Sequence, residues 1–120
     1  MTPFAAILQR AVETTPNAIG GAFAASDGEM VDSFSKIDNH DWAVLTAHYG
    51  IVLQHLVDAF GTWHFGGPEY FVVTHQAIEV VVHAVDAGYY ALLAFRSAAP
   101  LSLALDNLRT AAGELRLEMA

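Results

Sequence analysis

The stretch DNHDWAVLTAHYGIVLQHLVDAFG, residues 38–61, decides the fold, because it predicts one long helix that is apolar on two faces. Either Asp38 or Asn39 caps its start, and Gly61 ends it. The first apolar stripe at helical spacing, which we expect to face the core, is Trp42, Leu45, Tyr49, Val52, Leu53, Leu56 and Phe60. The second stripe is Val44, His48, Ile51 and His55. A helix of a small domain buries one face in its own core, so the second face predicts contact with a partner.

The segments around this helix predict helices packed on one sheet. In chain order they are a helix from Pro3, strands at 18–25 and 29–35, the long helix, strands at 69–75, 77–85 and 89–96, and a helix at 101–119. In the first strand we expect one side to carry Ile19, Gly21, Phe23 and Ala25. The late strands are apolar almost throughout, so both faces of their sheet require cover by helices. The predicted fold class is therefore an α/β (α+β) three-layer sandwich.

Composition and charge restrict the classes of partner. With 120 residues, of which 54% are hydrophobic, the chain predicts a single domain, 1–120, that has a real core. It contains no cysteine, which excludes disulfides, thiolate zinc sites and thiol catalysis. The net charge of −8 disfavours nucleic acid and anionic membranes. The N-terminus lacks the pattern of a signal peptide and no apolar run is long enough to span a membrane, so we expect a cytoplasmic protein.

The patterns that would indicate catalysis or a cofactor are missing, so we expect no enzyme and no cofactor. Neither GxxxxGK[ST] nor GxGxxG occurs, which argues against nucleotide binding by the chain itself. Among six histidines, His48 and His55 lie two helical turns apart, about 10 Å, too far to share one zinc ion. His75 and His83 could approach each other across a hairpin, but no known metal-ligand spacing supports them, and we assign no metal site.

Several pieces of the sequence, in this order, resemble the Roadblock (dynein light chain) family. The matching pieces are residues 8–15, PNAIGGA at 16–22, DGEMV at 27–31, residues 38–47, residues 78–95 and residues 100–119. They correspond to the opening helix and hairpin of the family, the start of its long helix, its last hairpin and its final helix. The resemblance covers nearly the whole chain. It implies a five-stranded antiparallel sheet with the long helix on one face and the terminal helices on the other.

The resemblance also implies a homodimer, in which the third strand pairs with its copy and the long helices pack together. In this sequence it points to an interface made of Val44, His48, Ile51, His55, Tyr70, Val72 and Thr74. Bacterial members of the family often regulate Ras-like small GTPases, including the one that sets cell polarity in gliding motility, and that system has a short acidic Roadblock paralogue. We therefore expect a non-catalytic adaptor that binds a small Ras-like GTPase, a paralogous Roadblock protein or a polarity scaffold.

Two other interpretations stay open. A Gly-flanked loop carries aromatic residues that are either a partner-contact loop or a lid over the sheet edge: Trp63, His64 and Phe65. The alternative function is a small-ligand sensor with a pocket between sheet and helix. We expect Phe23, Trp42 and Tyr49 to line such a pocket, and Gly20-Gly21 to leave room for the ligand.

Overall fold

The computed structural model describes residues 2–61, 66–86, 88–96 and 99–120, and it confirms the predicted order of elements. The elements are α1 (Pro3–Glu13), β1 (Ala18–Ala25), β2 (Met30–Ser35), α2 (Asn39–Phe60), β3 (Tyr70–Thr74), β4 (Ile78–Asp86), β5 (Tyr89–Arg96) and α3 (Leu101–Met119). The strands of the described residues form one antiparallel sheet in the order β2-β1-β5-β4-β3. The edges of the sheet are therefore β2 and β3.

The sheet is covered on both faces, as the apolar strands predict. On one face α1 and α3 enclose the larger core, which includes Leu8, Phe23 and Leu108. On the other face α2 alone covers a smaller core around Trp42 and Tyr90. The central strands contribute to both cores, which explains why their sequences show no alternation of polar and apolar residues. The fold therefore has three layers, and within the described residues the layer on this second face consists of α2.

Side-chain caps fix where the first two helices begin. The Thr2 hydroxyl accepts a hydrogen bond from the Ala5 N–H at 3.0 Å. The Asp38 carboxylate accepts one from the Asp41 N–H at 3.1 Å, so Asp38 is the cap and Asn39 is the first helical residue. Each cap satisfies a backbone donor that the helix itself leaves unpaired.

Two glycines let α2 lie close to the sheet. The Trp42 ring lies over Gly20, where a Cβ atom would stand 2.9 Å from the ring. The Trp42 indole N–H also donates to the Gly21 carbonyl at 3.2 Å. About two helical turns further along α2, a Cβ atom on Gly50 would lie 2.8 Å from the Tyr90 hydroxyl. Glycine at both positions is thus required by close approach.

The buried stripe of α2 is narrower than the sequence predicts. It consists of Trp42, Thr46, Tyr49, Gly50 and Leu53. The predicted core positions Val52 and Phe60 are instead 39% and 41% exposed, and Leu101 on α3 is 42% exposed. On α2 the line of contact with the sheet runs through Thr46 and Gly50, and Val52 lies to one side of that line.

Tyr90 joins α2 to the sheet and makes stability sensitive to alkaline pH. Its O–H donates to the Thr46 carbonyl at 2.9 Å, and burial, followed by the charge of Asp27, raises the pKa of Tyr90 to about 12. An unfolded tyrosine ionises near pH 10. The unfolded chain therefore loses this proton first, so the free energy of unfolding falls as pH rises from about 10 to about 12, by at most about 1.4 kcal/mol per pH unit.

Urea denaturation between about pH 9 and 11 measures this effect. Tyr90→Phe, which cannot ionise, is expected to show a shallower fall in the free energy of unfolding, though it is less stable at neutral pH because it loses the bond to Thr46. Burial also raises the pKa of Tyr49, which accounts for a remaining slope in the variant. An identical slope in both proteins would show that Tyr90 is not the group responsible.

Candidate interaction surface on α2 and β3

The second apolar stripe of α2 faces solvent along its length. Val44 is 42% exposed and Ile51 is 57% exposed. His48 and His55, at the intervening turns, are exposed too. The structure thus places all four predicted α2 residues on the outer face of the helix, away from the sheet. Large apolar side chains concentrated on one helix face are typical of a surface that packs against another protein.

The outer edge of β3 lies beside this helix. The Ala84 N–H donates to the Glu69 carbonyl at 2.9 Å, and the His75 N–H donates to the Ile78 carbonyl at 2.8 Å. These two bonds fix the alternation of the antiparallel ladder, so the backbone groups of Tyr70, Val72 and Thr74 point away from β4. Within the described ranges no strand pairs with that edge. The three predicted β3 residues therefore carry the open backbone edge.

The side chains of those β3 residues point to the opposite face of the sheet from α2. Tyr70 lies under the Arg109 guanidinium of α3, at 5.7 Å from the ring centre, and Val72 packs on the α1/α3 core. Phe71 and Val73 face α2 instead. The predicted interface residues thus lie on two faces of the sheet: those of α2 are on one face, and the β3 side chains are on the other. The open backbone edge of β3 lies between these two groups.

An apolar groove follows the junction between α2 and β3. It has a volume of about 370 Å³ and is lined by Leu45, His48, Tyr49, Val52, Val73 and His75. We name it the α2/β3 groove. His48 was predicted as an interface residue, and Leu45 and Val52 as core residues. The orientation of Val73 was not predicted, and His75 was considered only as a neighbour of His83. The alternation of side chains along β3 is the sequence signal that groups Val73 with His75, since residues 71, 73 and 75 lie on one face of the strand.

The other edge of the sheet is protected. The alternation of the β1–β2 ladder points the Ser33 N–H away from β1, and the Asp32 carboxylate accepts a hydrogen bond from it at 2.9 Å. The Thr2 hydroxyl is also bonded to Asp32. A register shift at Phe23 and Ala24 makes the pairing of β2 irregular. Edge charges and bulges discourage the addition of another strand, so β3 is the edge available for pairing.

The three residues expected to line a ligand pocket do not lie together, so that part of the prediction is wrong. Phe23 packs against Phe4 in the α1/α3 core, with ring centres 5.3 Å apart, whereas Trp42 and Tyr49 lie on the opposite face of the sheet. The space at Gly20 is filled by the Trp42 ring, and Gly21 faces the side chain of Val12. Alternation of side chains across a strand is the physical reason, because neighbouring positions of β1 serve different cores.

The hairpin does not bring His75 and His83 together either. His83 pairs with Tyr70, and His75 is bonded to Ile78, so the two positions are separated by five residues along the ladder, about 17 Å. They also face opposite sides of the sheet, since His75 contacts Tyr49 and His83 stacks beside Tyr70.

The predicted contact loop of Trp63, His64 and Phe65 lies outside the described residues. No helix in the described part of the chain is long and apolar enough to cross a membrane.

Comparison with known proteins assigns this architecture to a class. The structure superposes on a Roadblock/LC7 domain from Streptomyces avermitilis with a TM-score of 0.82 at 13% identity, covering 94% of each chain. No protein-family model and no curated protein matches the sequence. The chain therefore has the Roadblock/LC7 fold.

Two particular structures share the fold over nearly their whole length. MglC from Myxococcus xanthus matches with a TM-score of 0.73 at 20% identity, covering 98% of this chain and 99% of MglC. The gliding protein MglB from Thermus thermophilus matches with a TM-score of 0.77 at 18% identity, covering 98% of this chain and 90% of MglB. These structures confirm the predicted resemblance to Roadblock domains and to the MglB/MglC proteins.

Proposed function

We propose that this protein is a non-catalytic, homodimeric Roadblock adaptor that regulates a small Ras-like GTPase module in bacterial cell polarity or motility. The observation that carries the proposal is the exposed apolar face of α2 beside the open edge of β3. The fold shared with MglC and with the gliding protein MglB supports the assignment to that kind of system. The direct partner is the GTPase, a paralogous Roadblock protein or a polarity scaffold.

The dimer is proposed to form by antiparallel pairing of β3 with its copy. Pairing would satisfy the outward backbone groups of Tyr70, Val72 and Thr74, which otherwise face water. The same arrangement would bring the two α2 helices together over the joined sheet and bury Val44 and Ile51. Backbone hydrogen bonds and apolar burial would thus act together, and each needs the other to make a stable interface.

Regulation of the partner is proposed to work by preferential binding to one of its conformations. An exposed arginine inserted into a GTPase site would be the catalytic alternative. In this chain Arg10 is held at 2.9 Å by Glu114, and Arg109 lies over the Tyr70 ring. The other two arginines are exposed but belong to regular elements: Arg96 is the last residue of β5, and Arg116 lies in the last turn of α3. These contacts favour an adaptor over a protein that donates a catalytic residue.

Two measurements test the proposal. Sedimentation velocity at about 10 μM protein is expected to show a dimer, as interfaces of this class have dissociation constants well below that concentration. Tagged protein is then used to capture partners from a lysate of its own organism, with either GTP or GDP added. We expect a Ras-like GTPase or a second Roadblock protein, enriched to different extents with the two nucleotides. A monomer in the first experiment would refute the dimeric adaptor.

A further inference from the structure

The histidines are the feature of this chain that the proposed function leaves unexplained. The sequence has six in 120 residues, and two of them, His48 and His75, line the α2/β3 groove. The other groove residues are Tyr49 and three aliphatic side chains. Among the residues that line it there is no Asp, Glu, Lys or Arg, so the two imidazoles are the groups that can become charged near neutral pH.

His48 has apolar neighbours on its own helix. Its Nδ1–H donates to the Val44 carbonyl at 2.8 Å, so in the neutral ring Nε2 carries the lone pair. The residues one turn away on α2, at positions 44, 45, 51 and 52, are Val, Leu, Ile and Val. No carboxylate within a turn of α2 is therefore available to balance a positive charge on His48.

The elements around His75 are α2, β3 and β4. From α2, the Tyr49 hydroxyl is hydrogen-bonded to its Nε2, with the two rings edge to face at 6.0 Å. Burial raises the pKa of Tyr49, so this hydroxyl stays neutral and supplies no negative charge. From β3 the neighbouring side chain in the groove is Val73. On β4 the nearest carboxylate, Glu79, pairs with Thr74 and points to the opposite face from the groove.

We propose that a second copy of this chain docks on the α2/β3 groove only while His48 and His75 are neutral, so that acidification releases the dimer. The inference rests on the proposed function, because it takes the homodimer as given. A neutral imidazole can be covered by apolar surface at small cost, whereas an unpaired positive charge buried there costs several kcal/mol. In the monomer both residues are exposed.

The direction and size of the effect follow from proton linkage. If the dimer excludes protons that the monomers bind, the dissociation constant rises as pH falls through the imidazole range near 6.5. Each imidazole held neutral in the dimer contributes up to about tenfold between about pH 7.5 and 5.5. Four imidazoles per dimer set a ceiling of about 10⁴-fold. We expect a loss of affinity of at least about 100-fold over that interval.

The overall charge of the protein predicts the opposite trend. Protonation of all six histidines would change the net charge from −8 to −2 and so reduce repulsion between two copies. Charge alone would therefore make the dimer tighter in acid. A dimer that weakens in acid thus requires local protonation at the interface.

Sedimentation velocity over a dilution series at about pH 7.5, 6.5 and 5.5 tests the inference, with circular dichroism confirming that the monomer stays folded. The test variant combines His48→Gln and His75→Gln, which keeps polar side chains that cannot be protonated. It is expected to dimerise at pH 7.5 and to lose much less affinity at pH 5.5 than the wild type loses. The matched control is His40→Gln in the first turn of α2, which does not line the groove and should keep the full pH effect.

The outcomes separate the two proposals. A wild-type monomer at every pH would overturn the homodimer and this inference with it. A wild-type dimer of equal or greater affinity at pH 5.5 would overturn the inference and leave the homodimer standing. An unchanged pH effect in the double variant would also overturn it. If the double variant does not dimerise at pH 7.5, each single variant is measured instead, and each is expected to show about half the logarithmic effect.

Discussion

Replacing Ile51 with aspartate is expected to convert the proposed homodimer into a folded monomer. Ile51 is 57% exposed in the single chain and lies at the middle of the outer face of α2, so the substitution removes apolar contact area there and puts a carboxylate in its place. An unpaired charge buried at an apolar interface costs several kcal/mol. About 3 kcal/mol corresponds to a loss of affinity of more than about 100-fold. Sedimentation velocity over a range of concentrations measures the change.

Leu117→Asp is the matched control for this variant. Leu117 is 78% exposed on α3, on the other side of the sheet from α2, and it receives the same change from an aliphatic side chain to a carboxylate. The control is expected to remain dimeric. If Ile51→Asp stays dimeric or Leu117→Asp dissociates, the interface is not on the outer face of α2. Because both side chains are exposed in the monomer, neither substitution should unfold the chain.

Replacing Trp42 with alanine is expected to cause the largest loss of stability, about 3–5 kcal/mol. The ring is 1% exposed and fills the space over Gly20, and its N–H is bonded to Gly21. Removing it leaves a cavity where α2 is closest to the sheet and abolishes the indole hydrogen bond to the Gly21 carbonyl. Since α2 is the one helix on its face, the described chain has no second helix there to fill the gap.

Urea denaturation at one fixed protein concentration measures this loss, because the stability of a dimer depends on concentration. Trp42→Phe is the comparison, as it keeps an aromatic ring over Gly20 but loses the indole N–H. We expect it to lose less than half as much stability as Trp42→Ala. Equal losses in the two variants would mean that the hydrogen bond to Gly21, rather than the packing of the ring, holds α2 in place.

The sequence predicted the elements of this fold because their local signals agree with one another. The cap at the start of α2 and the nearly continuous apolar runs of β4 and β5 each have a local physical cause, and these elements were confirmed. Alternation along β1 was predicted less well. Ile19 packs with the α2 core although Phe23 packs with α1 and α3, because the β1–β5 register shifts between Ala18 and Gly20.

The α2/β3 groove was not predictable from the same signals. The strand sequence Tyr-Phe-Val-Val-Thr of β3 is suited to burial on either face, so nothing local says that Val73 faces α2. On α2 the buried positions include Thr46 and Gly50, which no hydrophobic pattern selects. Both are buried by tertiary contacts with Tyr90, a residue at least 40 positions away in the sequence. The spacing of apolar residues along one helix contains no information about such contacts.

The protected edge at Asp32 has a consequence for how far assembly can proceed. A sheet with two open edges recruits copies on both sides, and such growth has no natural end. In this fold the carboxylate of Asp32 takes up the outward Ser33 N–H on β2, while β3 is left open. Two copies joined through β3 would form a ten-stranded sheet whose outer margins are both β2. The particle would be finite, closed by a twofold axis, and resistant to growth into fibres.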